Sequence, residues 1–204
     1  MMTESSATAF YALTSARRGH FKLESGHHSE RWLDLDGLFS NPDSIATLVS
    51  RLADSLRPYD FSAICGPLLG GAFLAQLLAH ELRVQFYFTE RRMPADTAGL
   101  YRASYQLPAA FVENVRSQRI AIVDDVMSAG SALRGTYNEL QKHGAVIAVA
   151  GALMVFGNTG SDFFREQDIA LEATARDDYT LWLPDDCPLC RQAVPLENVA
   201  TAAS

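Results

Sequence analysis

The sequence predicts an α/β fold, with a central, mainly parallel sheet flanked by helices and a small N-terminal hood. Three observations predict it. Ile120, Ala121, Ile122 and Val123 form an unbroken apolar run, and strands buried on both faces of a parallel sheet become such runs because neither face is left polar. A unit of short apolar strand, small-residue loop and amphipathic helix occurs twice, across 61–82 and 120–143, and strands alternating with helices indicate parallel construction. The chain has 204 residues, 48% of them apolar, which suffices for one buried core with an appendage.

Taken in order, residues 6–17 place Phe10, Leu13 and Arg17 at helical spacing, and Gly19 is expected to end that helix. Phe21, Lys22, Leu23, Glu24 then alternate like a half-exposed strand before the Ser25-Gly26 turn, and Trp32, Leu33 and Leu35 suggest a second strand. Residues 1–40 make up the helix and hood. His27 and His28 are expected at the surface, since neighbouring Glu24 and Glu30 make no familiar ligand spacing with them.

The core is assigned to 41–183. Asn41 caps a helix with Pro42 in its first turn, and Ile45, Leu48, Val49, Leu52 and Leu56 share one face. A strand at 61–65, a turn of Gly66, Pro67, Leu68, Leu69, Gly70 and Gly71, and a helix at 72–82 follow. Strand 84–88 leads into a long irregular connection at 89–105, and loops of that length are typically lids. Residues 146–155 read as another buried strand, 169–173 as the last one, and 179–183 as an edge strand stopped by Pro184. The tail is 184–204, with Cys187-Pro188-Leu189-Cys190 near its start.

A formal charge of −7 disfavours general nucleic-acid binding, which needs basic surface. No stretch approaches the ~18 uninterrupted apolar residues of a membrane span, and the N-terminus lacks a signal-peptide pattern, so a soluble cytoplasmic protein is expected. Three cysteines do not make a secreted disulfide framework. Cys187 and Cys190 read as reduced thiols, with a four-thiolate site shared between two chains or a redox disulfide left open.

The chemistry concentrates where the strand 120–123 ends in Asp124 and Asp125 and is followed by Ser128, Ala129, Gly130 and Ser131, then a helix over 133–143. A small-residue loop at a helix N-terminus offers unpaired amides and partial positive charge, which suits a phosphate. The two carboxylates suit hydroxyl donors or a divalent ion. A phosphate beside a diol suggests phosphorylated ribose.

This string resembles the signature that binds phosphoribosyl pyrophosphate (PRPP) in type I phosphoribosyltransferases, and Phe21 to Gly26 resembles the hood start of the orotate phosphoribosyltransferase family. The resemblance implies that fold and transfer of phosphoribosyl from PRPP, with Mg2+ carried on it, to a nucleobase, most simply orotate, in pyrimidine biosynthesis. It implies that Asp124, Asp125, Ser128, Ala129, Gly130 and Ser131 hold PRPP with Leu69, Gly70, Gly71 and Arg102. Arg91 and Arg92 act on the pyrophosphate, and Lys22, Trp32 and Ser128 hold the base. A homodimer is implied, with Arg91, Arg92 or Arg102 reaching a neighbour's site. The Cys-Pro-Leu-Cys tail resembles the ending of some bacterial members.

Three positions depart from the family pattern. Gly70 stands where many members carry Lys, the 89–105 segment has arginines but neither Lys nor His, and Phe156-Gly157 stands where an Asp-Arg pair usually binds the orotate carboxylate. Either another cation, Arg165 or Lys22, meets that carboxylate, or the base is a different one. A PRPP-binding regulator with weak catalysis is the alternative from another class.

Overall fold

The computed structural model describes residues 6–35, 37–92, 100–101, 103–178 and 180–199. Its elements are helix α1 (Ser6–Ala12), strands β1 (Ser15–Lys22) and β2 (His28–Asp34), α2 (Pro42–Leu56), β3 (Ala63–Pro67), α3 (Gly70–Leu82), β4 (Gln85–Arg92) and β5 (Ser104–Gln106). They continue with β6 (Arg119–Met127), α4 (Ser131–Lys142), β7 (Val146–Phe156), α5 (Thr159–Glu166), β8 (Leu171–Asp177), the single turn α6 (Pro188–Arg191) and β9 (Glu197–Asn198).

The main sheet has six strands in the order β5-β4-β3-β6-β7-β8. All neighbours run parallel except β4 and β5, which pair antiparallel. Along β6 the buried side chains alternate between two cores. Ala121 and Val123 join Ile45, Leu48, Leu52, Leu74 and Leu78, whereas Ile120 and Ile122 join Leu133, Leu140 and Phe164. Helices thus cover both faces, which is why this strand carries no polar alternation.

The helix at 42–56 forms as its caps dictate. The Asn41 side chain accepts from the Asp43 amide at 3.1 Å, Pro42 sits in the first turn, and all five apolar residues named above are buried. The hood is a second sheet in the order β2-β1-β9, with β1 antiparallel to β2 and parallel to β9. The tail therefore belongs to the hood's sheet through β9, and just before the tail the His28 and Trp182 amides each donate to the other's carbonyl at 2.9 Å.

Several sequence expectations shift. The first helix ends at Ala12, and Gly19 lies inside β1 at a bulge: between Arg18 and Phe21 the strand advances one residue more than its partner, from Arg31 to Ser29. Thr89 to Arg92, expected as loop, continue β4 because β5 supplies them with ladder partners, Arg91 facing Tyr105 and Arg92 facing Ser104. The last strand of the main sheet is 171–177 rather than 169–173, and of the expected edge strand 179–183 Trp182 makes only the isolated bridge, Tyr179 lying outside the described residues. Residues 93–99 and Arg102 of the expected lid also lie outside them. Helix α5 was not anticipated from the sequence.

Candidate active site

Asp124 and Asp125 do not end their strand. β6 stays paired with β7 as far as Met127 opposite Val155, while its pairing with β3 stops at Ile122 opposite Cys65. The carboxylates lie where β3 has turned away into its loop, at the carboxyl end of a parallel sheet, where such folds bind ligands. Both are buried, at 8% and 9% exposure. Burial and the neighbouring Asp125 carboxylate push Asp124 well above the usual carboxylate range, and burial raises Asp125 too.

The loop leaving β3 packs on these acids. A Cβ placed on Gly70 would lie 1.9 Å from Asp125 Oδ2, and one on Gly71 would lie 2.7 Å from Asp124 Oδ1. These glycines, which begin α3 rather than sit in a turn before it, let the helix start approach the carboxylates more closely than a larger residue could. Pro67, Leu68, Leu69, Gly70 and Gly71 line one wall of a cavity of about 630 Å3, with Arg91, Arg92, Tyr105, Asp124 and Asp125 on the others. That volume is in the range of small-molecule sites.

The turn 128–131 leads into α4, whose Ala132 lines the same cavity. Gly130 has φ +75 and no side chain caps α4, so the first amides of a helix of 12 residues point outward without a side-chain partner. Ala129 is buried. Ser131 Oγ donates to Glu24 Oε1 at 2.9 Å.

Glu24 is a hub that the sequence reading missed. Besides Ser131 it receives the Tyr105 hydroxyl at 2.8 Å and pairs with Arg91 Nε at 2.8 Å. Burial, with Glu24 beside it, pushes the Tyr105 phenol far above its ordinary range. One signal existed: Glu24 shares a strand-like face with Lys22, to which the family resemblance gives a base-holding role, and it is Glu24 that lines the cavity. Tyr105 is buried and lies just beyond the expected lid, which gave no reason to single it out.

On the hood side a second cavity of about 260 Å3 is lined by Trp32, Ser128, Leu23, Val126, Glu24 and Arg91, among others. Trp32 and Ser128 thus come together as expected, and Arg91 lines both cavities. Lys22, at the end of β1, lines neither of them. Arg165 pairs with Asp162 at 2.8 Å with its side chain 75% exposed, away from both cavities. Phe156 is buried and meets Tyr11 at a ring separation of 6.5 Å.

His27 and His28 are buried, against the expectation of surface residues, because the turn folds under the tail and against Tyr101. Cys187 and Cys190 are free thiols, so no disulfide joins them.

Residues 37–167 match the phosphoribosyl transferase domain family. The chain is similar to the orotate phosphoribosyltransferase of Thermotoga petrophila, 30% identical over 180 residues that span 88% of this chain and 89% of the relative. It is also similar to that of Pelotomaculum thermopropionicum, 28% identical over 95% of each chain. Among solved structures it resembles the orotate phosphoribosyltransferase of Aeropyrum pernix, with TM-score 0.59 and 22% identity over 79% of this chain and 87% of that one. It resembles the adenine phosphoribosyl transferase of Trypanosoma brucei in complex with AMP, pyrophosphate and ribose-5-phosphate with TM-score 0.64 and 13% identity, over 92% of this chain and 85% of that one.

Proposed function

Because the chain belongs to the phosphoribosyl transferase family, we propose that its two adjoining cavities hold PRPP and orotate, and that it is an orotate phosphoribosyltransferase of pyrimidine biosynthesis. The observation that carries the reading is the buried Asp124-Asp125 pair packed against the Gly70-Gly71 helix start. The curated relatives named for this activity, alignable over most of their length, support orotate as the base.

The reaction joins orotate N1 to the ribose anomeric carbon as the bond from that carbon to pyrophosphate breaks. Asp124 and Asp125 accept hydrogen bonds from the ribose hydroxyls. The amides at Ser128, Ala129, Gly130 and Ser131 hold the 5-phosphate. The amides after Leu69, at Gly70 and Gly71, take the pyrophosphate with Arg92, whose fork suits its oxygens. Arg102 is assigned there too. The raised proton affinity of the acid pair fits a divalent cation, because two buried carboxylates without one repel each other. Mg2+ on PRPP, when bound, supplies positive charge against the leaving group.

Trp32 and Ser128 hold the base on the hood side. Arg91 is the cation among the described residues lining that cavity, and it is assigned to the orotate carboxylate in place of the family's usual Arg. Glu24 orients it. Pyrophosphate is a good leaving group, so a loop without Lys or His still serves by charge stabilisation. A homodimer in the cytoplasm is the proposed setting.

The test is incubation with PRPP, Mg2+ and orotate, adenine, hypoxanthine or uracil in parallel, following pyrophosphate release and base loss. Turnover with orotate at about 1 per second or faster supports the assignment. Turnover confined to another base overturns orotate, and PRPP binding without turnover makes the chain a regulator.

A further inference from the structure

We propose that His20, His28, Cys187 and Cys190 bind a zinc ion that fastens the C-terminal tail to the hood. The four ligand atoms come from three places: the bulge of β1, the start of β2 and the short turn α6. All four lie within 4.8 Å of one another. His20 Nε2 is 3.1 Å from His28 Nδ1, 3.4 Å from Cys187 Sγ and 3.7 Å from Cys190 Sγ, and Cys190 Sγ is 3.3 Å from His28 Nδ1. A tetrahedral zinc with ordinary bond lengths has edges of about 3.3 Å between nitrogens, about 3.6 Å from nitrogen to sulfur and about 3.8 Å between sulfurs. The four distances fall within about 0.3 Å of those edges, and the remaining two pairs lie within 4.8 Å.

The hydrogen bond behind His20 agrees. His20 Nδ1 lies 2.8 Å from the Val194 carbonyl, which can only accept, so Nδ1 carries the proton and the Nε2 lone pair faces the cluster. Three groups converge on that one lone pair, yet it can take a single proton. A cation shared by all four atoms satisfies the set. Two thiolates and two imidazoles in tetrahedral array select zinc over Mg2+ or Ca2+, and Cys187 and Cys190 have the spacing of a zinc pair. Binding releases the two thiol protons, leaving the site neutral. The β1 bulge matters here, because it re-aims His20 towards the tail.

The consequence is mechanical. The strand that supplies His20 ends two residues before Glu24, the hub of the active site, so a metal that clamps tail to hood holds Glu24 in register with Arg91. The inference stands whether or not the base is orotate.

Metal content of the whole protein tests it. Protein made in zinc-supplemented medium is expected to carry about one zinc per chain, and Cys190→Ser and His28→Ala proteins less than about a fifth of that. Cobalt substitution is expected to give the intense d–d bands of a tetrahedral ion and a thiolate-to-cobalt charge-transfer band. Those bands in the wild type stand even if a variant fails to fold. Asp124→Asn with Asp125→Asn should keep its zinc, which separates this site from the active-site carboxylates. Stripping zinc should lower Tm by about 5 °C or more, restored by zinc and not by Mg2+. Zinc below about a tenth of an equivalent in the wild type, full zinc in Cys190→Ser, or a mass two hydrogens lighter from a Cys187–Cys190 disulfide would overturn the proposal.

Discussion

At Asp124 the folded chain works against its own charge. Burial and the Asp125 carboxylate raise its proton affinity, so near the pair the native state binds more protons than the unfolded chain does. Stability from this source is greatest below the unfolded carboxylate value, about 4, and is lost as pH rises through the raised folded values. Asp124→Asn removes that penalty. The variant should be more stable than wild type at pH 8, by the order of 1 kcal/mol or about 2–4 °C in Tm, with little difference at pH 4. It should also bind PRPP at least about 100-fold more weakly, because the ribose hydroxyls lose a charged acceptor. Thermal scans at both pH values and calorimetry with PRPP check this, and a lower Tm at pH 8 with unchanged affinity refutes the role. Gly70→Ala makes the complementary case. Its methyl would sit 1.9 Å from Asp125 Oδ2, so the loop must retreat, and kcat/KM should fall by about 100-fold or more while the fold survives. Wild-type kinetics in that variant would show that the close approach has no catalytic use.

Three elements meet at Glu24: the end of the hood's β1, the β4–β5 ribbon through Arg91 and Tyr105, and the start of α4 through Ser131. Glu24→Ala releases all three contacts at once, so KM for the base should rise by about 10-fold or more with a smaller change in kcat, since Arg91 is left mispositioned rather than removed. Arg91→Ala should lower kcat/KM for orotate by about 100-fold. Steady-state kinetics on both variants decide the matter: equal and small effects would mean that Arg91 does not depend on Glu24. The elements that were legible in the sequence are those set by neighbours along the chain. Asn41, Pro42 and the apolar face of α2 specify their helix locally, and Ile120 to Val123 declare a strand covered on both sides. Asp124, Asp125, Trp32 and Ser128 were legible as candidates from motif and strand position, and each lines one of the two cavities. What was missed depends on partners distant in sequence. β4 runs on to Arg92 only because Ser104 to Gln106 pair with it. Glu24 looks like an exposed strand residue until Arg91, Tyr105 and Ser131 arrive, and His28 looks like a surface histidine until the tail covers it.

At the scale of the whole molecule, the proposed homodimer raises the question of which arginine serves which active site. Arg91 lines the cavities of its own chain and pairs with its own chain's Glu24, so it is expected to act in cis. Arg102 is outside the described residues, in the sequence segment that the family resemblance assigns to a neighbour's site. Mixed dimers distinguish the two. Combine protein carrying Asp124→Asn and Asp125→Asn with Arg102→Ala protein and let subunits exchange. If Arg102 acts in trans, each mixed dimer has one site with both defects and one with neither. Half the dimers are then mixed with half their sites whole, and activity should recover to about a quarter of wild type. The same acid variant mixed with Arg91→Ala should recover nothing, because in cis every site keeps one defect. Sedimentation of the mixtures supplies the control. A dimer without recovery in the Arg102 pairing places that residue in cis, recovery in the Arg91 pairing contradicts the geometry of the ribbon, and a monomer with full activity removes the dimer from the mechanism.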